Sequence, residues 1–206
     1  MKDQVYDLIK ERIFDGYYKT GEEIRILPLS QELGISNTPI REALTMLTAE
    51  GLLTTSLNNK FRVIELSEEL MIELNETILL LLLGGYYFAH KDGRDRDLEE
   101  MLQMRYRDQL IARESGNQDE YIRKTLLFDR SFVEITGNKK LLSIFDANNY
   151  LLYLYVRYTY WKEKNNQEKK LREHLALIDA VRIGEYEQVR RLLEEHYDEH
   201  YEEVLC

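Results

Sequence analysis

Two prolines and ten glycines in 206 residues are too few for an all-β fold, which needs turn residues at every reversal, and too few for a disordered chain. Cysteine occurs once, as Cys206, which excludes an internal disulfide and suits a reducing compartment. No apolar run follows Met1-Lys2-Asp3-Gln4, so no secretory leader is expected. The most apolar stretch, Ile78 to Ala89, falls short of the roughly 20 residues that a membrane-spanning helix needs. A glycine-rich phosphate loop and a nucleophile beside a base are missing too, so no catalytic constellation is legible. These absences predict a cytoplasmic, non-enzymatic protein with no membrane partner. Its 44% apolar residues can build a core, in one large or two modest domains.

Positive charge is also scarce. The net charge is −10; residues 1–66 hold eight Lys/Arg against ten Asp/Glu, and the balance of the deficit lies beyond them. Any nucleic-acid affinity must therefore come from a local cluster rather than a basic surface. Residues 35–51 supply one. Ser36 suits a helix N-cap and Gly51 a left-handed C-terminal cap, with Ile40, Ala43, Leu44 and Leu47 spaced between them as one apolar stripe. The other stripe, Asn37, Thr38, Arg41, Thr45 and Thr48, mixes a cation, an amide and hydroxyls suited to phosphate oxygens and base edges. Glu42 is expected to make a contact within the domain, since a carboxylate facing phosphate would repel it. Just upstream, Pro28 to Leu33 reads as a short helix stopped by Gly34, which completes a helix-turn-helix pattern.

A β-hairpin comes next, Leu53–Leu57 and Lys60–Ile64 around Asn58-Asn59, which tolerate a tight turn. It forms a wing whose Lys60 and Arg62 could reach phosphates beside the groove. Val5, Leu8, Ile9, Ile13 and Phe14 give an opening helix over residues 3–15. The first domain is thus a winged helix-turn-helix over 1–66, with Ser67 as the N-cap of the next helix. Residues 67–206 read as all-helical: 70–89, 95–114, 119–136, 139–164, 167–183 and 185–205, joined by short connections as in an antiparallel bundle. Gly84-Gly85 in the first of these marks a place where a partner backbone can approach closely. The fold class is mainly α, with one small hairpin.

Gly34-Ile35-Ser36-Asn37-Thr38-Pro39-Ile40-Arg41-Glu42-Ala43-Leu44, followed by Ala49-Glu50-Gly51-Leu52, resembles the DNA-binding signature of the GntR family of bacterial transcription regulators. The later half, with Asp129-Arg130-Ser131-Phe132, Thr136-Gly137-Asn138, Glu173-His174, Gly184 and His196, is similar to the helical FCD domain of its FadR subfamily. The resemblance implies a homodimer on a palindromic double-stranded operator, controlled by a small-molecule, organic-acid-like effector. It places DNA contacts at Ser36, Asn37, Thr38, Arg41, Thr45, Lys60 and Arg62. The family usually carries Arg where this chain has Asn37, and often Arg where it has Leu27. Many members hold a divalent metal with an Asp, a His four residues later and two further His. Asp129, His174 and His196 match these, but Val133 stands in place of the second ligand.

His174 and His196 lie ten residues before and twelve after Gly184, so in an antiparallel pair they reach nearly one depth. If both face the interior with Asp129, they form an N₂O set for Zn²⁺ or a similar ion; the alternative is two hydrogen-bonded core histidines. The effector is expected among Asp129, Val133, His174 and His196. Arg157, a cation in an aromatic segment, is a further candidate because a buried charge needs a partner. His196-Tyr197-Asp198-Glu199-His200 fits an inverted zinc-peptidase pattern, read here as a chance match. Two rival functions remain: a metal-dependent enzyme in the bundle, betrayed by turnover, and a helical scaffold with a degenerate DNA domain, betrayed by the lack of sequence-specific binding.

Overall fold

The chain opens with α1 (Lys2–Phe14), whose Val5, Ile9, Ile13 and Phe14 are buried as the helical spacing predicts. After β1 (Glu23–Ile24) come α2 (Ile26–Leu33) and α3 (Asn37–Ala49), then β2 (Leu53–Thr55) and β3 (Phe61–Val63). In this computed structural model residues 1–56, 58, 60–160 and 166–198 are described, and the chain divides into Met1–Ser67 and the residues from Glu68 onward.

In the first unit α1 and α2 both pack on α3, and Ile9, Ile40, Ala43, Leu44, Leu47 and Leu52 make a core sealed from solvent. Gly51 takes φ 78°, so its N–H reaches the Thr48 carbonyl and the Leu52 N–H the Leu47 carbonyl, the paired bonds of a left-handed helix stop. Ser36 occupies the N-cap of α3 in extended conformation, but its side chain makes no capping hydrogen bond. The wing is more than a hairpin: the antiparallel sheet has order β1-β3-β2, with Glu23 opposite Arg62 and Leu53 opposite Val63. A two-residue strand is too short to show any period-2 alternation, which is why β1 is invisible to patterning. Leu57 and Asn59, assigned to the hairpin, lie outside the described residues.

The second unit contains α4 (Glu68–Lys91), α5 (Asp95–Glu114), α6 (Gln118–Glu134), α7 (Lys139–Tyr160), α8 (Asn166–Ile183) and α9 (Tyr186–Asp198). The α5 limits are those the sequence predicts. Asn117 caps α6 by accepting from the Glu120 N–H at 3.0 Å. The last stretches of the predicted fourth and final helices, with Trp161 and residues 199–206, lie outside the described residues. The apolar run around Ile78 is embedded in the 24-residue α4, which by length and composition alone could cross a membrane. Here Met71, Leu74, Ile78, Leu82, Tyr86 and Ala89 are buried in a helix that packs on α6, α7 and α9. Of the two glycines in α4, only Gly85 meets a partner backbone, that of α6.

Candidate functional sites

On α3 the buried stripe fixes what faces outward. Asn37, Thr38, Arg41, Glu42 and Thr45 are exposed and, with half-buried Met46 and with Lys2 of α1, line one groove. The Arg41 guanidinium has no ion pair among the described residues. Thr45 Oγ1 donates to the Arg41 carbonyl at 2.8 Å, which leaves its lone pairs to accept. Thr48 departs from the expected stripe: it is half-buried at the margin of the core face, and its hydroxyl donates to the Leu44 carbonyl. At 100° per residue, Glu42 is nearly opposite Leu44 and Leu47, so it is Glu42 that occupies the outer row. The contact within the domain expected of Glu42 is made by Glu50 instead, which accepts from Tyr6 at 2.7 Å and pairs with Lys10 at 3.2 Å. Lys2 and Glu42 are groove residues that apolar patterning could not select, since neither belongs to the stripe it found.

Lys60 and Arg62 do not project free from the wing. Glu23, across the sheet on β1, pairs with Lys60 at 3.1 Å and Arg62 at 3.4 Å, and Arg62 also donates to the Gly21 carbonyl. The Lys60 hydrogen bond, with the charges of Arg25 and Arg62, holds the Glu23 carboxyl below its ordinary range. Both cations stay about half exposed, at 51% and 48%. The wing therefore presents two partly neutralised cations.

In the second unit Asp129 of α6, His174 of α8 and His196 of α9 converge. All three are buried, and one ligating atom from each lies within 4.8 Å of the others. Asp129 Oδ1 is 3.9 Å from His174 Nε2 and 3.6 Å from His196 Nε2. The far side of each group is held. Gln109 Oε1 sits 2.8 Å from His174 Nδ1, Glu173 2.7 Å from His196 Nδ1, and Tyr197 donates to Asp129 Oδ2 at 2.9 Å. Phe128 stacks on the His174 ring at 3.8 Å with planes 5° apart. Asp129 Oδ1 and His174 Nε2 have no hydrogen-bond partner, an expensive state for buried polar atoms.

Burial keeps the His174 imidazole well below its ordinary pKa and hence neutral, the form that offers a lone pair. Burial alone would raise the Asp129 carboxyl, but His196, whose Nε2 lies 3.6 Å from Oδ1, together with the positive charge of Lys170, outweighs it and leaves Asp129 lowered. Glu173 is treated likewise: burial pushes up, while His196 and Lys170, the latter 2.9 Å away, pull it below the usual range. Ligands at about 2.0–2.2 Å from an ion stand roughly 3.3–3.6 Å apart in a tetrahedron, so the two Asp129–histidine separations are near those of a small divalent cation, while the set as a whole, spread within 4.8 Å, would have to close further around it.

Val133 is fully buried one turn beyond Asp129. Arg157 is elsewhere: it pairs with Asp119, ten residues and so about 15 Å along α6 from Asp129. The partner its burial demands is thus a carboxylate of the chain, not a ligand of the cluster. Glu199 and His200 of the peptidase-like pattern lie outside the described residues, while His196 faces the cluster. Gln109 is the residue that the sequence gives no reason to select; Glu173 and Tyr197 stand there beside the two histidines, but nothing in the spacing says that they hold His196 and Asp129.

This fold defines a winged helix-turn-helix joined to a helical domain that holds a carboxylate–imidazole cluster. Residues 1–63 match the gntR family of bacterial regulatory proteins, and residues 88–199 match the FCD domain. The chain belongs to the GntR family of transcription regulators with an FCD domain in its C-terminal part; it is a regulator, not an enzyme. The HTH-type transcriptional regulator YdhC of Bacillus subtilis (strain 168), itself uncharacterized, is 26% identical over 206 residues, covering 98% of this chain and 91% of that one. Among solved structures, Lar, which controls expression of the Listeria monocytogenes agr system, superposes with TM-score 0.73 at 20% identity over 97% of this chain and 94% of that one. Escherichia coli McbR/YncC gives 0.69 at 23% identity over 96% and 93%. These two likenesses bear on the fold.

Proposed function

We propose that the protein acts as a cytoplasmic homodimer on a palindromic DNA operator. Asn37, Thr38, Arg41 and Thr45 of α3 read the groove, while Ser36, Lys60 and Arg62 contact the backbone beside it. The observation that carries this reading is Arg41, exposed and without an ion pair among the described residues, on the flank of a helix whose core face is sealed and in one groove with Asn37, Thr38 and Thr45. Glu42 in the same groove is unsuited to phosphate but can accept from the cytosine amino group.

The second half of the proposal is that the FCD domain takes a small organic-acid-like effector at Asp129, Val133, His174 and His196. Asp129, His174 and His196 would hold a divalent ion such as Zn²⁺, and the ion would supply a Lewis-acidic anchor for an effector carboxylate. The unpartnered Asp129 Oδ1 and His174 Nε2 support this over a plain histidine core. An effector changes operator affinity only by binding two states of the protein unequally.

Selection of bound duplexes from a random pool, followed by footprinting, tests the DNA half. Inverted half-sites about one helical turn apart or less are expected. An asymmetric single site, or a monomer bound at saturation, overturns the homodimer reading. Native mass spectrometry of the purified chain tests the other half through its mass, metal and retained ligand.

A further inference from the structure

Gln109 of α5 is completely buried, and its amide is held at both ends. Its Nε2 lies 2.7 Å from Thr125 Oγ1 and its Oε1 lies 2.8 Å from His174 Nδ1. The Thr125 hydroxyl is in turn 2.9 Å from the Tyr121 carbonyl. A carbonyl oxygen can only accept, so the single hydroxyl proton of Thr125 is spent on Tyr121, and toward Gln109 Thr125 can only accept. Only the amide nitrogen of Gln109 can donate to it, which turns the amide oxygen toward His174. That oxygen accepts in its turn, so the proton of the neutral ring resides on Nδ1 and the lone pair on Nε2, facing Asp129 Oδ1.

We infer that Tyr121, Thr125 and Gln109 form a directional hydrogen-bond relay that presents His174 Nε2 to the cluster as a metal ligand, with Gln109 as the positioning residue. The inference rests on the metal reading proposed above. Gln109 touches neither ion nor effector; it acts through His174. Without it, either ring nitrogen could carry the proton, and an N–H at Nε2 would point a donor at the place where a cation must sit. Stacking on Phe128 fixes the plane of the ring but is indifferent to its tautomer, so the relay has a role that packing cannot supply. Partners of this kind typically govern 10–100-fold in metal affinity.

The test uses the full chain and Zn²⁺ alone, with affinity measured by competition against a chromophoric chelator and His174→Ala marking binding at this cluster. Gln109→Leu should weaken Zn²⁺ binding about 10–100-fold. Ring ¹⁵N spectra of the metal-free wild type should show His174 as the Nδ1–H tautomer. A folded Gln109→Leu with wild-type Zn²⁺ affinity, or an Nε2–H tautomer in the wild type, overturns the relay. Should Gln109→Leu fail to fold, Thr125→Val takes its place, must also weaken Zn²⁺, and overturns the relay if it does not. A wild type that takes up no Zn²⁺ overturns the metal reading instead, whereas the tautomer, read without metal, judges the relay separately.

Discussion

A Cβ added to Gly85 would stand 2.1 Å from the carbonyl oxygen of Phe132 and 2.7 Å from its carbonyl carbon, so α4 and α6 meet there backbone to backbone. No rotamer can relieve that clash, because both partners are main chain. Gly85→Ala must push α4 away from the segment of α6 that carries Asp129 and Val133, at a cost of about 1–3 kcal/mol or more. Gly84, whose added Cβ meets nothing within 4 Å, predicts the reverse: Gly84→Ala should gain up to about 1 kcal/mol from helix propensity. Urea denaturation of the two variants separates them, and a shift of the same sign in both refutes the close approach.

On α3 the structure distinguishes two residues that the sequence ranks together. Arg41→Ala should cost roughly 1–3 kcal/mol of operator binding if the guanidinium reads a guanine bidentately. Thr48→Val should change binding by less than about 0.5 kcal/mol, since its hydroxyl is committed to the Leu44 carbonyl at the edge of the core. Titration of the selected operator with both variants decides. Equal losses would show that Thr48, seven residues on and so at nearly the same angle about the helix, belongs to the reading face after all.

What is legible in the sequence is what short range determines. Ile40, Ala43, Leu44 and Leu47 announce a buried face because helical spacing is local, and His174 and His196 can be set at one depth by counting from Gly184; their rings lie 5.2 Å apart. What is not legible depends on partners far along the chain. Glu23 meets Lys60 after 37 residues and Gln109 meets His174 after 65. A glutamine in a polar helix reads as surface until a buried partner is known. Arg157 illustrates a half-success: its charge demands a partner, but spacing cannot say that the partner is Asp119.

The Glu23 clamp predicts a gain from a loss. In Glu23→Gln the carboxylate that pairs with Lys60 and Arg62 is gone, and both cations can turn to phosphate. Operator affinity should rise at low salt, and the slope of log K against log salt should steepen by about 0.9 for each new phosphate contact. Affinity and slope are both read from titrations at several salt concentrations. An unchanged slope would show that the wing does not reach the backbone.

Val133 offers the most direct test of the cluster. It lies one turn from Asp129 on α6, so a ligand there shares the face of the carboxylate. Val133→His supplies a third imidazole to the two already present and should raise Zn²⁺ affinity by about tenfold or more, since a fourth protein ligand completes a tetrahedral set. The site is fully buried, so without metal the larger ring should strain the packing by about 1–3 kcal/mol and lower Tm. Zn²⁺ should then restore stability, because a ligand that binds only the folded state stabilises it according to its concentration over Kd. The expected signature is thus a crossing: the variant melts below wild type in chelator and gains more than wild type in Zn²⁺. Metal content and thermal melts of wild type, Val133→His and His174→Ala, each with chelator and with Zn²⁺, supply the comparison. A folded Val133→His that binds no more Zn²⁺ than wild type, beside a His174→Ala that loses none, would mean that Asp129, His174 and His196 do not hold an ion together, and the effector would have to be sought elsewhere in the bundle.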